Sequence, residues 1–361
     1  MGVLAALALL AASYGGHVDP RVWALPSLAT LGLPAVAAVA LAVALLMAAL
    51  RQWRAVIVIG AAMLVCWPCL QLVFPLHLSE SATSESATDR TLRVLTFNVM
   101  NWGLYDGTQE EENPSMRFIL EQDADIVVMQ EAMQTADYYT LPSMRTMLNA
   151  LKRKYPYRTT ARTDLAILSK YPFSKADDPL YYDKEWQYYG NGHAMAWDVI
   201  LPDRVLRVFV THMQSFGLSQ TLNGDIYKEA RDIDEKQKAK TAVRKSCAAF
   251  KQRTKQAVLL RRAIDKWDGD MLLVGDLNDT PASYTYRTLR GEDLCDAYAE
   301  TGIGYGWTYN SARLFFRIDH ILYRGALRPT MCRRYKAGDS DHYPLVAEFK
   351  LVNDYTTKQY E

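Results

Sequence analysis

The chain has 361 residues, of which 50% are hydrophobic and 22% charged, enough for one large domain or two ordinary ones with packed cores. Its net charge of +1 excludes a dedicated high-affinity nucleic-acid binder, because such proteins carry a strongly basic surface. An enzyme that meets a phosphate substrate briefly remains compatible with this charge. The cysteines match no zinc spacing, so the sequence predicts neither a structural metal nor a disulfide framework. One disulfide among Cys247, Cys295 and Cys332 stays open.

The N-terminal part of the chain is far more apolar than the rest. Leu25–Leu50 contains no charged residue, and Ala55–Phe74 is a second uncharged run of 20 residues. Each is long enough to cross a hydrocarbon core of about 30 Å. Met1–Ala12 is apolar but short, and is either a third span or the remainder of one. The sequence therefore predicts a membrane anchor in residues 1–78 with two or three transmembrane helices, against the alternative of buried helices in a soluble protein.

The charges around these runs predict the orientation of the anchor. The connection Arg51–Arg54 carries two arginines, which favours the cytoplasmic side of a membrane. The chain leaves the second span on the opposite side, so the sequence predicts a multi-pass membrane protein with an extracytoplasmic C-terminal domain. Residues 79–90 contain the pentapeptide SESAT twice and have no apolar face. We expect a polar linker there that lets the domain at 91–361 rotate.

Beyond the linker, short apolar runs typical of strands alternate with helical patterns. The predicted helices are Pro114–Glu121, Tyr138–Lys152, the long charged stretch Asp225–Lys266, and Ser283–Leu289. The predicted strands are Thr91–Asn98, Asp125–Met129, Leu165–Leu168, Ala194–Leu201, Val205–Thr211, Leu272–Gly275, Arg317–Tyr323, Arg328–Tyr335 and Pro344–Leu351. Strands dominate and helices are interspersed, so the fold class is α/β or α+β with two packed sheets.

Polar side chains recur where these strands end. They are Asn98, Glu131, His212, Asp276, Asn278, Asp319, Asp341 and His342. In a two-sheet sandwich such strand ends can gather at one rim. Acid oxygens with two histidines fit a hard-cation site with proton transfer, rather than a zinc site with cysteine ligands. We expect Asp276 and Asn278 to point the same way, because side chains alternate along a strand.

The motifs TFNVMNWG, DIVVMQE, AILSKYP, the Thr211-His212 pair, GDLNDTP, RIDHILY and SDHYPLV resemble, in this order, the endonuclease/exonuclease/phosphatase family. The resemblance covers about residues 91–351. It implies a four-layer sandwich, in which two mixed β-sheets lie face to face with helices outside. It also implies a hydrolase of phosphoester bonds that depends on Mg²⁺, with Mn²⁺ as an alternative.

The same resemblance implies roles for the polar strand ends. Glu131 looks like the principal metal ligand, with Asn98 beside it, and Asp341 is similar to the acid that supports the metal or phosphate side. A cation neutralises a phosphate anion that would otherwise repel the nucleophile. Asn98 would also contact the substrate.

The remaining residues resemble the catalytic set of the family. Asp276 and Asn278 look like the pair that orients or activates the attacking water and holds the phosphate. His342 resembles the catalytic histidine, with Asp319 fixing its tautomer. His212 resembles a second histidine that acts on the leaving oxygen or the phosphate.

Three positions are ambiguous or depart from the pattern. Asp164 precedes AILS, where the family commonly has glycine or a small polar residue. His320 is expected to face away from Asp319 and to serve packing. His193 either lines the site or is an ordinary loop histidine.

The substrate stays open at this point. Candidates are nucleic acid and, as the alternative, a lipid head group cleaved in the manner of a sphingomyelinase or an inositol-phosphate-type phosphatase. The near-neutral charge argues weakly against duplex binding, and the anchor argues weakly for a lipid. A non-catalytic binding domain is a further hypothesis, although no predicted site residue has been lost. The expected partners are the lipid bilayer and the phosphoester substrate, and no obligate protein partner is indicated.

Overall fold

The computed structural model describes residues 1–77, 90–106, 113–132, 142–159, 164–176, 193–216, 235–311 and 314–352. The SESAT linker, the start of the predicted Asp225–Lys266 stretch and the side chain of His193 lie outside the described part.

Ten α-helices are found in these ranges. Five precede the linker: α1 Gly2–Tyr14, α2 Leu25–Leu31, α3 Leu33–Ala49, α4 Trp53–Val65 and α5 Trp67–Val73. Five follow it: α6 Pro114–Gln122, α7 Pro142–Lys154, α8 Glu235–Ile264, α9 Tyr284–Arg290 and α10 Ala297–Thr301. Short 3₁₀ helices occur at Gly15–His17 and Met100–Asp106.

The strands form two six-stranded sheets and a hairpin. The first sheet has the order β13-β14-β1-β2-β4-β3. Its strands are β1 Arg90–Asn98, β2 Ile126–Gln130, β3 Tyr157–Arg158, β4 Ala166–Ser169, β13 Leu327–Arg334 and β14 Leu345–Leu351. The second sheet has the order β5-β6-β7-β8-β12-β9. Its strands are β5 Phe173–Lys175, β6 His193–Ile200, β7 Val205–His212, β8 Met271–Asp276, β9 Cys295–Asp296 and β12 Asp319–Arg324, while β10 Tyr309–Ser311 and β11 Leu314–Phe316 form the hairpin.

Three apolar clusters separate four layers. The first lies between the two sheets, with side chains such as Val94, Val208 and Val274. The second packs α6 and α7 against the outer face of the first sheet, and the third packs α8 and α9 against the outer face of the second. Both sheets are mixed, because β1 pairs in parallel with β2, and β7 with β8, among antiparallel neighbours. The predicted two-sheet sandwich is therefore confirmed.

The predicted continuous membrane spans are broken. Among the described residues, no single helix combines the length and apolar composition needed to cross a bilayer. Two bent pairs meet those criteria jointly: α2 with α3, bent by 69°, and α4 with α5, bent by 65°. The breaks fall at Gly32 and Cys66, just before helices that carry Pro34 and Pro68 in their first turns. A proline there starts a new helix and is disfavoured inside an old one.

The N-terminal helices pack directly on the C-terminal domain, which differs from the freely rotating arrangement expected from the linker. Arg317, fully buried on the approach to β12, donates from Nη2 to the carbonyl of Leu72 in α5 at 2.8 Å. Leu28 and Leu31 of α2 pack against Phe216 and Phe250. The linker composition did not reveal this docking, because the contacts are made by residues distant in sequence.

Candidate active site

The ends of the central strands converge at one rim of the sandwich. Asn98 ends β1, and Glu131 follows β2 beside it in the first sheet. In the second sheet, the register pairs His212 of β7 with Asp276 of β8, and Asp276 with Asp319 of β12. The predicted strand-end residues are thus brought together from both sheets.

Gly275 allows β8 to reach this rim beside β7. Its φ is +137°, which only glycine adopts easily, and an added Cβ would lie 2.1 Å from the carbonyl oxygen of Thr211. The glycine before Asp276 is therefore required by the close approach of the two strands.

Asp276 lies at the centre of the site. Its Oδ2 is 3.7 Å from Nε2 of both His212 and His342. The same oxygen accepts from the side-chain amides of Asn98 and Asn278, each at 3.3 Å. Burial and the negative charge of Asp319 raise the pKa of Asp276 to about 6, against the opposing effect of the two histidines. This carboxylate can therefore exchange a proton close to neutral pH.

Asp276 and Asn278 are neighbours for a different reason from the predicted one. The strand ends at Asp276, so alternation does not extend to Asn278. Instead Asn278 takes a left-handed conformation with φ +50°, and its backbone N–H donates to Asp276 Oδ1 at 2.7 Å. A turn closed by the aspartate brings the two side chains together.

His342 and Asp319 form the expected pair. His342 Nδ1 donates to Asp319 Oδ2 at 2.9 Å. Thr308 Oγ1 holds the start of this strand by accepting from the N–H groups of Ile318 and Asp319, both at 3.0 Å. Burial opposes the charge on His342, but Asp319 and Asp276 outweigh it and hold its pKa well above the ordinary value. The same pair lowers the pKa of Asp319 in spite of burial.

His212 belongs to a second pair, which the sequence did not predict. Its Nδ1 donates to Asp164 Oδ2 at 2.6 Å, while Asp164 Oδ1 accepts from the N–H of Glu131 at 3.1 Å. Burial disfavours the imidazolium, but Asp164, Asp276 and Glu131 raise the pKa of His212 to about 9. The sequence did contain a signal for this pair, because an acid stands at position 164 where the family commonly has glycine or a small polar residue. The family pattern marked Asp164 only as a departure and gave it no role.

The predicted metal ligands lie on the first-sheet side of the rim. Glu131 has φ +50°, a strained conformation for this residue, and its Oε1 accepts from Asn98 Nδ2 at 3.2 Å. The negative charge of Glu131 acts on Asp341, and burial raises the pKa of that acid. Asn98 presents its amide nitrogen to the carboxylates, while its oxygen accepts from Met100 N at 3.1 Å. In this orientation Asn98 is a donor, and a metal-ligand role requires the amide to be turned around.

The donor set fits a hard divalent cation. Carboxylates outnumber other ligands at the rim, as such cations prefer. Ligand atoms of Asp276, Asp319 and His342 all lie within 4.8 Å of one another. Asp319 Oδ1 is buried and, in the described part of the chain, has no hydrogen-bond partner. Glu131 and Asp341 add further carboxylate oxygens at the same rim.

A buried arginine, also missed from the sequence, supports the loops behind the site. Arg253 of α8 is fully buried and donates from Nε to Asp279 Oδ2 at 3.2 Å and from Nη1 to the Gln214 carbonyl at 2.7 Å. Its guanidinium lies 3.9 Å from the ring centroid of Phe216. It therefore ties the segment after His212 to the segment after Asn278.

The two ambiguous histidines are placed as follows. His320 is buried, donates from Nε2 to the Asp279 carbonyl at 3.0 Å and packs against Tyr286. The backbone of His193 pairs with His212 across β6 and β7.

Comparison with known proteins gives two family matches. Residues 116–342 match the model described as the endonuclease/exonuclease/phosphatase family, and residues 1–73 match a domain of unknown function (DUF8431). No curated protein sequence matches the chain.

Similar solved structures include an endonuclease/exonuclease/phosphatase from Beutenbergia cavernae, 18% identical with a TM-score of 0.49, covering 73% of this chain and 72% of that one. Another is TDP2 of D. rerio complexed with single-strand DNA product, 16% identical with a TM-score of 0.47, covering 72% and 99%. A third is sphingomyelinase C from Streptomyces griseocarneus, 19% identical with a TM-score of 0.42, covering 72% and 99%. The matched family model spans more than half of the chain, so this chain belongs to the endonuclease/exonuclease/phosphatase family, whose members are hydrolases of phosphoester bonds.

Proposed function

We propose that the protein is a membrane-anchored hydrolase of phosphoester bonds that depends on Mg²⁺ or Mn²⁺. The observation that carries the proposal is the placement of Asp276 between two histidines, each held by its own aspartate. This arrangement supplies one group that can accept a proton and two that can hold one near a phosphate.

In the proposed mechanism, Asp276 is the general base that takes the proton of the attacking water. Its pKa of about 6 leaves it ionised at neutral pH and still basic enough to accept a proton. Asn98 and Asn278, whose amides already donate to this carboxylate, hold its orientation and contact the phosphate.

The two histidines act as cations. His342, held by Asp319, and His212, held by Asp164, keep their protons at neutral pH and face the same carboxylate oxygen. A phosphate between them meets positive charge on two sides, and either imidazolium can give its proton to the leaving oxygen. Glu131 and Asp341 would hold the divalent cation, which would supply further positive charge to neutralise the phosphate.

The membrane anchor is proposed from the surface of the N-terminal helices. Leu4, Leu7, Leu45, Ile57 and Leu64 are each more than half exposed. Exposed apolar area on this scale needs a covering, and lipid supplies one without a specific partner. Trp23 lies close in sequence to Arg21, and Trp53 to Arg54, which is the pairing found at membrane–water interfaces. With Arg51 and Arg54 cytoplasmic, the catalytic domain is extracytoplasmic.

Within phosphoesters, a lipid head group is the second candidate beside nucleic acid. The observation that favours it is the contact between the N-terminal helices and the site loops. A Cβ at Gly16 would lie 2.0 Å from the carbonyl oxygen of Ala282, four residues after Asn278. If the helices lie in a bilayer, the rim stands close to its surface.

The proposal is tested with the full-length protein in detergent. Turnover is measured with Mg²⁺, Mn²⁺ or EDTA against bis(p-nitrophenyl) phosphate, plasmid DNA, sphingomyelin and inositol phosphates. We expect metal-dependent hydrolysis of at least one, lost in His342→Gln and kept in His17→Gln, a matched change at an exposed histidine in the N-terminal region. No turnover on any of these phosphoesters would refute the proposed function.

A further inference from the structure

A cleft of about 970 Å³ opens at the edge of the sandwich, outside the catalytic rim. One wall is formed by β13, the edge strand of the first sheet, with Lys350 of β14, and the other is the segment that follows α10. Its floor is formed by Tyr298, Tyr323 and Cys332, which belong to the apolar layer between the sheets.

The lining of the cleft is strongly basic for a chain with a net charge of only +1. Four basic side chains line it, Arg328, Arg333, Arg334 and Lys350, against the single carboxylate of Glu300. Glu300 accepts a hydrogen bond from the Tyr323 hydroxyl at 2.7 Å. Positive charge collected in a concave, partly enclosed site raises the local concentration of anions.

Arg334 is held in position by aromatic rings. Its guanidinium carbon lies 4.5 Å from the ring centroid of Trp307 and 4.8 Å from that of Tyr343. In the described part of the chain, no carboxylate forms an ion pair with Arg334 or Arg328. A guanidinium packed on rings keeps its edge N–H groups as donors, the geometry that binds a phosphate through two hydrogen bonds. The ring of Trp307 is occupied by Arg334 and Phe315, which disfavours stacking of a nucleobase there.

The cleft is connected to the catalytic rim through Tyr343, the neighbour of His342. The N–H of Tyr343 donates to the carbonyl of Thr308 at 2.6 Å, and Thr308 Oγ1 accepts from the N–H of Asp319 at 3.0 Å. Arg334 therefore packs on a residue that adjoins His342 in the chain and is held by the same Thr308 that holds Asp319.

The opposite end of the cleft meets the chain as it leaves α5. His77 lines the cleft and contacts the Ala299 carbonyl through Nε2 at 2.9 Å. The N–H of Gly304 donates to the Pro75 carbonyl at 2.8 Å, and Leu76 forms a β-bridge with Ile303. The cleft thus meets the end of the N-terminal helices at one end, and at the other its Arg334 packs on Tyr343, the chain neighbour of His342.

We propose that this cleft is an anion subsite that binds a second phosphate of the substrate. This second phosphate is a monoester group and is not the one whose ester bond is hydrolysed. The proposal rests on the phosphoester hydrolase function proposed above. Arg334 binds the phosphate, while Arg328, Arg333 and Lys350 add positive charge along the cleft. The preferred substrates are accordingly those with a second phosphate, presented either by a lipid head group or by a soluble compound.

Binding to the full-length protein in detergent tests the subsite without turnover. Inorganic pyrophosphate is titrated calorimetrically in the presence of EDTA into the wild type, R328Q/R334Q, and the control K152Q/R153Q on the exposed side of α7. We expect the first variant to weaken binding by about tenfold or more, the control by less than about twofold, and R334K to fall between them. Equal affinity in R328Q/R334Q and the wild type, or equal weakening in the control, would overturn the subsite.

Two further experiments are needed. One distinguishes a lipid head group from a soluble phosphate, and the other tests the proposed function independently of the subsite. Dihexanoyl phosphatidic acid that binds more tightly than glycerol 3-phosphate indicates a lipid head group, and equal affinity indicates a soluble substrate. Hydrolysis of bis(p-nitrophenyl) phosphate by the wild type tests the proposed function separately, because this ester carries only one phosphate. Near-ultraviolet circular dichroism verifies that each variant is folded.

Discussion

Asp164→Asn is the substitution that most sharply probes the second histidine–aspartate pair. The change removes one negative charge 2.6 Å from His212 Nδ1 and keeps the shape of the side chain. The amide oxygen can still accept from the N–H of Glu131, so the backbone at that position stays held. The perturbation is therefore mainly electrostatic.

The raised pKa of His212 gives the expected magnitude. The difference between about 9 and the ordinary 6.5 corresponds to about 3 kcal/mol of preference for the imidazolium. In Asp164→Asn, burial still disfavours the imidazolium of His212 and less negative charge offsets it. The pKa of His212 therefore falls to the ordinary value or below it. At about pH 7.5 the protonated fraction then drops from nearly all to roughly a tenth, whereas at about pH 5.5 it changes little.

The assay is the pH profile of kcat/KM for the wild type, Asp164→Asn and the control Asp198→Asn, which breaks an ion pair with Arg207 away from the rim. We expect the wild-type rate to rise as Asp276 ionises through about 6 and to fall as His212 loses its proton through about 9. In Asp164→Asn the alkaline limb moves down by about two pH units. An alkaline limb that stays in place would refute the role of Asp164.

The Asp164–His212 pair also makes the stability of the fold depend on pH. Because the folded-state pKa of His212 is raised, the pair stabilises the fold fully below the ordinary pKa of histidine. This contribution is lost as the pH rises through about 9. The destabilisation of Asp164→Asn, measured by chemical unfolding, is therefore expected to be larger at acidic than at alkaline pH.

Three further outcomes are expected. Arg253→Met leaves Asp279 buried without its charge partner and should lower the free energy of unfolding by about 3–5 kcal/mol. Adding Asp279→Asn to the same chain should recover part of this loss. A loss no larger than that caused by replacing an exposed arginine would contradict the burial of the pair. Gly275→Ala should abolish folding, because the added methyl group clashes with β7. Gly304 also has a positive φ but has open space around it, so Gly304→Ala should lower the free energy of unfolding by only about 1–2 kcal/mol. Similar losses in the two variants would rule out the clash. Protease added to intact cells should cut at residues 79–88, and full protection there, with cutting only after permeabilisation, would reverse the proposed orientation.

The positions of many rim residues could be predicted because these residues lie where apolar runs stop. The ends of apolar strands located Asn98, Asp276 and Asp319, and a two-sheet sandwich can gather such ends at one rim. The pairing of His342 with Asp319 followed from the resemblance of the motifs and is present at 2.9 Å.

What the sequence did not reveal depends on contacts between distant residues or on local backbone geometry. The Asp164–His212 pair joins positions 48 residues apart, and Arg253 reaches Asp279 from another element. The turn at Asn278 needs a positive φ that alternation does not predict. Pro34 and Pro68 indicated the helix breaks at Gly32 and Cys66. The prediction of continuous spans gave more weight to the length of the apolar runs than to these prolines.

The central claim is that Asp276, between the two histidines, performs the proton transfer of phosphoester hydrolysis. The most direct measurement is the single-turnover rate of the full-length protein with saturating Mg²⁺ in Asp276→Asn. The control is Asp265→Asn, at an exposed acid just beyond the C-terminal end of α8 that pairs with Arg261. We expect the first change to lower the rate by about 10²–10⁴ and the second to leave it within about twofold. A rate in Asp276→Asn close to that of the wild type would contradict the account.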